Sequence, residues 1–362
     1  MNNLDDIVAM QKLDKSNMYG SIIELGKQCL HAYEETEMIV VPPDYRDINK
    51  ILMTGMGGSG LGARIIESVF GLTLQYPLTR LNDYDLPQWV DENTLVVCSS
   101  FSGTTEETVE NARQAIQRKA KWMAIGTGVD LIDLARESYV PFYKIIPTYN
   151  PSKEPRMAIG YSVIGQIRLV AKAGIIRFQK QDLTTLIETM NHVVGTSKRE
   201  IGIKSNPAKQ MAQKFYQKYV VFVTARHLIG AVHTIKNQMN ENAKNFSTMF
   251  DIPEMNHHIL EGFTYPASNK KDLLCILVES PLYPGLIQKR FQITQDILKK
   301  NGIETHVWRA DSGQPLSEVF EFIQFGALVN FYLAMLNNIN PALIPWVDYF
   351  KTQLGQSLGQ WK

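Results

Sequence analysis

The sequence predicts an α/β protein made of two doubly wound parallel-sheet domains with helical N- and C-terminal extensions. Three observations predict it. Short apolar runs alternate with helix-length amphipathic segments, two of the strand-to-helix turns are rich in glycine and hydroxyl groups, and the whole rhythm restarts in the second half.

In chain order, the first half offers four apolar runs that read as buried parallel strands: Ile51–Thr54, Thr94–Cys98, Lys121–Ile125 and Phe142–Ile146. Between them, Ala63–Phe70 and Glu106–Arg118 carry helical spacing, which makes a strand, helix, strand succession. The polar, proline-bearing stretch Tyr149–Pro155 reads as a hinge. Beyond it, Tyr219–Thr224, Leu273–Glu279 and Thr305–Arg309 repeat the strand pattern. Laid over one another, ILMTGMGGSGLGARIIESV matches YVVFVTARHLIGAVHTIKNQ in order, and LVVCSSFSGTTEETVENARQAI matches LLCILVESPLYPGLIQKRFQIT, as in a worn duplication. The expected division is residues 1–155, carrying the anion site, and residues 156–362. The N-terminal segment and the segment from Ser317 onward read as helical additions packed around both units.

Bulk properties narrow the partner. At 362 residues, 44% hydrophobic, the chain is long enough for two cores. Lys plus Arg number 37 against 36 Asp plus Glu, so no global positive field exists for nucleic acid or an anionic membrane surface. The partner is expected to be small and local. The first twenty residues carry acids rather than a basic region ahead of an apolar run, and no window approaches about 18 uninterrupted apolar residues, so a cytoplasmic location is expected. Cys98 and Cys275 sit in apolar runs and, with Cys29, suggest buried hydrophobes rather than a disulfide framework.

Two turns of the first half carry the chemistry. Gly55-Met56-Gly57-Gly58-Ser59-Gly60-Leu61-Gly62 lies between an apolar strand and a helix, where backbone N–H groups and the helix dipole converge on an anion. No acid lies at the end of a clear second strand about 20 residues on, as a dinucleotide site requires. No Gly-Lys-Ser/Thr ending supplies the lysine of a P-loop. The second turn, Ser99–Thr108, clusters Ser100, Ser102, Thr104 and Thr105 at another helix N-terminus, a donor set suited to a phosphate monoester. The bland alternative is a capping box of Thr104 and Glu107, which accounts for two residues rather than the whole run of hydroxyls.

Ser-x-Ser-Gly-x-Thr-Glu-Glu-Thr after an apolar strand, paired upstream with Gly-x-Gly-Gly-Ser-Gly, resembles the sugar isomerase (SIS) domain. Within that superfamily the chain is similar, over most of its length, to the bifunctional phosphoglucose/phosphomannose isomerases, which have two SIS units. The resemblance implies a sugar-phosphate substrate held by Ser59, Ser100, Ser102 and Thr105, with the backbone of Gly57 and Gly58. It also implies a homodimer.

An aldose–ketose isomerase must open a pyranose ring, move a proton between C1 and C2 through a cis-enediol, and stabilise the developing oxyanion. By resemblance, Glu241 in Asn240-Glu241-Asn242-Ala243-Lys244 is the proton-transfer base; its bland alternative is a surface glutamate paired with Lys244 or Lys236. His257, in Pro253-Glu254-Met255-Asn256-His257-His258, matches the ring-opening histidine and is implied to reach the partner's site, with the choice between His257 and His258 left open. Arg156 matches a guanidinium that steadies the enediolate, and Lys351 a C-terminal lysine that joins in ring opening. The family's threonine, associated with accepting both glucose and mannose epimers, is absent from Asn340-Pro341-Ala342-Leu343-Ile344-Pro345. The seven histidines form no metal-ligand pattern with suitable acids, so neither metal nor cofactor is expected. The leading expectation is interconversion of glucose 6-phosphate, and of mannose 6-phosphate if that epimer is accepted, with fructose 6-phosphate. The alternatives are another sugar phosphate's isomerase or a SIS protein that binds without turnover.

Overall fold

A computed structural model describes residues 3–357. Helices α1 (Ile7–Leu13), α2 (Met18–Ile23) and α3 (Leu25–Glu35) precede the first sheet. Its strands are β1 (Lys50–Thr54), β2 (Leu78–Leu81), β3 (Thr94–Ser99), β4 (Lys121–Gly126) and β5 (Phe142–Lys144), all parallel in the order β2-β1-β3-β4-β5. Between and after them run α4 (Leu61–Phe70), α5 (Glu106–Gln117), α6 (Val129–Glu137) and α7 (Ile159–Lys172).

The two-residue period of a strand explains why these runs read as continuously apolar. Ile51, Met53, Leu95 and Val97 face one core, whereas Leu52, Val96 and Cys98 face the other, with Ala112 of α5 and Ile132 of α6. Helices α3, α4 and α7 close the first of these faces. Gly165 of α7 lies so close to Tyr143 that a Cβ there would stand 2.5 Å from the ring, so the helix following residue 155 seats directly on the first sheet.

The second sheet has β6 (Tyr219–Thr224), β7 (Ser247–Asp251), β8 (Leu273–Glu279) and β9 (Glu304–Arg309), parallel in the order β7-β6-β8-β9. This is the order of β2-β1-β3-β4, the geometric counterpart of the sequence duplication. Its helices are α8 (Lys180–Ser197), α9 (Pro207–Phe215), α10 (Ile229–Gln238), α11 (Asn269–Asp272), α12 (Gly285–Lys300), α13 (Pro315–Leu336) and α14 (Pro345–Ser357). The α/β expectation with helical ends is borne out.

Two local expectations need correction. Strands β2 and β7 carry no continuous apolar run, because each is a sheet edge with mostly half-exposed residues, and the expected strand Phe142–Ile146 ends at Lys144. The Tyr149–Pro155 stretch is no hinge. Ser21 Oγ lies 2.8 Å from Asn150 Oδ1 and 2.9 Å from Ser152 Oγ, and Gln28 Nε2 donates to the carbonyls of Tyr149 and Met157, so buried side chains of α2 and α3 fix it. The segment expected to be helical from Ser317 onward opens with α13, whose 22 residues are long and apolar enough to cross a membrane by length and composition. It lies inside the protein, 94% of its most apolar window buried, against α8, α9 and α10. Its polar residues tie neighbouring backbones: Gln324 to Ile22 O, Asn330 to Ile235 O and Tyr332 to Ser197 O. One continuous apolar core thereby spans both units. All three cysteines are buried free thiols, and burial pushes Cys275 up to about 12.

Candidate active site

The strand order of the first sheet reverses between β1 and β3, which opens a crevice at their C-terminal ends, the usual ligand position in an open α/β sheet. Both turns singled out from the sequence meet there. After β1, Gly57–Gly60 forms a single 3-10 turn feeding α4, entered through Gly57 at φ +51°. After β3, Gly103 adopts φ +81°, and a Cβ on it would collide with the Gly128 carbonyl oxygen; only glycine fits.

The hydroxyls form one connected set. Ser59 Oγ accepts the Phe101 N–H at 2.9 Å and so joins the two turns. Ser100 is fully buried: its Oγ donates to Thr105 Oγ1 at 2.8 Å and accepts the Gly103 N–H at 3.1 Å. Ser102 is exposed and accepts from the Thr104 hydroxyl at 3.1 Å. Thr105 is the N-cap residue of α5, and no side-chain capping bond forms there, so the capping alternative fails. These hydroxyls bond one another at the mouth of a helix N-terminus, a donor-rich surface for an anion.

Residues that the sequence reading missed hold the glycine turn in place. Gln166 of α7, 1% exposed, sets its Nε2 2.8 Å from Ser59 O and 3.1 Å from Ser99 Oγ, and Ser162 Oγ donates to Gly58 O at 3.4 Å. Asn82, just past β2, donates to Gly55 O at 2.5 Å, in the region where a dinucleotide site would place a ribose-binding acid. The available signal was a glutamine isolated within the apolar helix IGYSVIGQIRLV, since a buried polar side chain is usually there to satisfy something. Gln166→Leu leaves the Ser59 carbonyl without its donor; a loss of about 1–3 kcal/mol in a urea titration is expected, with weakened phosphate binding.

The second unit reaches this crevice through the end of α10. There the helix widens into a π turn, Met239–Ala243, that presents Glu241. Its flanking asparagines are tied down on both sides. Asn240 exchanges hydrogen bonds with the Ser247 backbone, and Asn242 Oδ1 accepts from Arg156 Nε at 2.7 Å. Arg156, 6% exposed, backs onto Gly58: a Cβ there would lie 3.5 Å from the Arg156 Cα. Its guanidinium donates to Glu154 at 2.5 Å and lies 3.8 Å from Glu241 Oε2. The ion partner of Glu241 is therefore Arg156, rather than the lysines of the surface alternative.

Burial raises the Glu241 carboxyl above the usual glutamate range; Arg156, Lys351 and Lys244 act against that rise and Glu154 adds to it. Lys351 lies on the exposed face of α14, near enough for its charge to act on Glu241. His257 is not part of this group within one chain. It is exposed on a 3-10 turn after β7, and neither it nor His258 bonds to Glu241, Arg156 or the cradle; His258 instead approaches Glu254 at 3.6 Å. Among the described residues, no three His, Cys, Asp or Glu side chains gather as a metal-ligand group.

Fold and turns together define an α/β protein with two SIS-like units. The family described as bacterial phospho-glucose isomerase C-terminal SIS domain matches residues 204–354. A bifunctional phosphoglucose/phosphomannose isomerase from Caldicellulosiruptor bescii is 29% identical over 347 residues, covering 94% of this chain and 99% of that one. A D-glucosamine-6-phosphate 4-epimerase from Sulfolobus acidocaldarius is 24% identical over 63% of this chain and 68% of its own. In three dimensions, the crystal structure of a hypothetical protein from Thermus thermophilus superposes with a TM-score of 0.71 at 17% identity, covering 94% of this chain and 90% of that one, a likeness of fold. Over most of its length the chain is thus similar to bifunctional phosphoglucose/phosphomannose isomerases, and its second half matches the SIS domain of the bacterial phospho-glucose isomerases.

Proposed function

We propose that this protein interconverts fructose 6-phosphate and glucose 6-phosphate by a metal-free cis-enediol proton transfer. The observation that carries the reading is a partly buried carboxylate, Glu241, set 3.8 Å from a buried guanidinium, Arg156, which itself backs onto the glycine turn of the phosphate cradle. A phosphosugar anchored at Gly57, Gly58, Ser59, Ser100, Ser102 and Thr105 extends its carbon chain from the crevice toward that pair.

The roles follow from charge. Glu241 takes the proton from C1 or C2 and returns it to the neighbouring carbon, a task suited to a carboxylate whose pKa is raised toward neutrality. Arg156 is held in one orientation by Asn242 and Glu154, so its guanidinium meets the enediolate oxygen without reorganising. Lys351 supplies a second cation and takes part in ring opening. His257, exposed on its own chain, belongs in this reading to the site of a second copy, in a cytoplasmic homodimer; His258 is its neighbouring alternative.

A second reading, isomerisation or epimerisation of another sugar phosphate, is favoured by one observation: Ala342 stands in the segment where the family has a threonine associated with epimer acceptance. An assay with chelator present, following fructose 6-phosphate to glucose 6-phosphate and separately to mannose 6-phosphate, tests both. Turnover into glucose 6-phosphate alone supports the narrower activity. Tight binding of the phosphate ester with no turnover in either channel points to another substrate or to a binding protein.

A further inference from the structure

We propose that Lys244 is a positioning residue that clamps the Asn340–Ala342 segment onto the Glu241 turn and so sets where α14 delivers Lys351. The proposal rests on the isomerase reading for its kinetic consequence, though the clamp itself does not. Lys244 closes the π turn in a left-handed conformation, φ +49°, its backbone N–H bonded to Met239 O. That conformation suits glycine or asparagine better than a lysine, so the position is one where the side chain has to be accounted for.

The side chain reaches across to the far segment. Its Nζ lies 3.0 Å from Asn340 O, 3.3 Å from Pro341 O and 3.3 Å from Asn242 O. Arg156 approaches the same segment from the other side, 3.3 Å from Pro341 O and 2.6 Å from Ala342 O. Three consecutive carbonyls thus face two cations that also border Glu241. Asn337, at the end of α13, donates to Ala243 O at 3.0 Å and closes the arrangement.

This arrangement matters because it ties down the segment that leads into α14. Residues 345–354 of that helix are exposed, including Trp346, Tyr349 and Phe350, so core packing does not orient it. Its first residue, Pro345, follows Ala342 by three positions, and Lys351 lies six residues further on. The clamp therefore links the Glu241 turn to the segment that leads into α14 and Lys351. Together with Arg156, which holds the Ala342 carbonyl, it fixes the backbone of the segment in which epimer preference is expected to be set.

The charge state of Lys244 gives the clamp a pH signature. Burial first, then Arg156, lowers its ammonium to about 8, opposed by Glu154 and by Glu241, while Lys351 is the cation on α14 that acts on Glu241. An ammonium has three N–H donors for the three carbonyls; a neutral amine has two and turns a lone pair toward the third.

Two variants, Lys244→Met and Lys244→Arg, are compared with the wild type by kinetics on fructose 6-phosphate, titration with inorganic phosphate, and hydrogen exchange of residues 337–354. The proposal expects Lys244→Met to lower kcat by about tenfold or more, with KM and inorganic phosphate affinity changed by less than about twofold. It also expects faster exchange in 340–354 and loss of the alkaline fall in kcat near pH 8. Lys244→Arg, which keeps charge and donors, should restore kcat and protection. Unchanged kcat, alkaline limb and exchange in Lys244→Met overturn the proposal, as does an equal loss in both variants. If the wild type turns over neither hexose phosphate, the isomerase reading fails, and exchange in 340–354 alone decides the clamp.

Discussion

Glu241→Gln is expected to lower kcat by about 10²–10⁴-fold while leaving sugar-phosphate binding intact, because the amide keeps the shape of the carboxylate and cannot take a proton. In the proposed reading the phosphate is held in a different unit of the fold, by Ser59, Ser100, Ser102 and Thr105, so KM should change little. In the wild type, the acid limb of kcat/KM should fall above the pH at which an ordinary glutamate titrates, since burial raises this carboxyl.

The same shift gives a stability signature with a definite sign. A carboxyl raised in the folded state disfavours folding at pH values above its folded pKa and ceases to do so as pH falls below the unfolded value. Glu241→Gln removes that cost. Its Tm should therefore equal or exceed that of the wild type at pH 8, with the difference shrinking toward pH 4. Thermal scans at the two pH values check this, and a variant less stable than wild type at pH 8 would show that the carboxylate is a structural partner of Arg156 first. A raised-pKa carboxylate kept at a site is the usual form of a stability–activity trade-off.

Arg156→Met is expected to damage both stability and rate. It leaves Glu154 and Glu241 without their common cation, and strips donors from Asn242 Oδ1 and from the Pro341 and Ala342 carbonyls. Removing one member of a buried charge network typically destabilises by about 3–5 kcal/mol, which a guanidinium titration reads directly. Among molecules that remain folded, kcat should fall by about 10²–10³-fold, the range for losing one preorganised donor to a developing oxyanion. Arg156→Lys should recover part of the stability and little of the rate, because a single ammonium cannot face Asn242, Glu154 and Ala342 together. Equal recovery of both would mean that charge alone, rather than the planar fork, is what the site uses.

The division between what was legible in the sequence and what was not has a physical basis. Strands β1, β3, β4, β6 and β8 announce themselves because both faces are buried, which forces unbroken apolar runs such as LVVC and LLCILVE. The edge strands β2 and β7 are half-exposed and escape that pattern. Cradle residues were legible because anion binding at a helix N-terminus needs glycine and hydroxyls in consecutive order, a local signal. Glu241 and Arg156, 85 positions apart, have no such signal and were reached through family resemblance; only the fold shows them side by side. The roles of Asn82 and Lys244 were not legible because each acts on another segment's backbone carbonyl, which leaves no trace in residue identity, whereas Gln166 left only the signal of a lone glutamine in an apolar helix. His257 is the residue whose assigned role the single chain does not complete, since its surroundings in one copy contain no part of the cradle.

The most direct test of the account is incubation of the protein with fructose 6-phosphate in D₂O, chelator present, with products followed by NMR. The account predicts glucose 6-phosphate carrying solvent deuterium at C2, the mark of a proton moved through an enediol by one base, and no exchange at C1 or C2 with Glu241→Gln. Glucose 6-phosphate formed without any solvent deuterium at C2 in the wild type, at equal rate in the Gln variant, would contradict it. So would saturable binding of fructose 6-phosphate with neither exchange nor product.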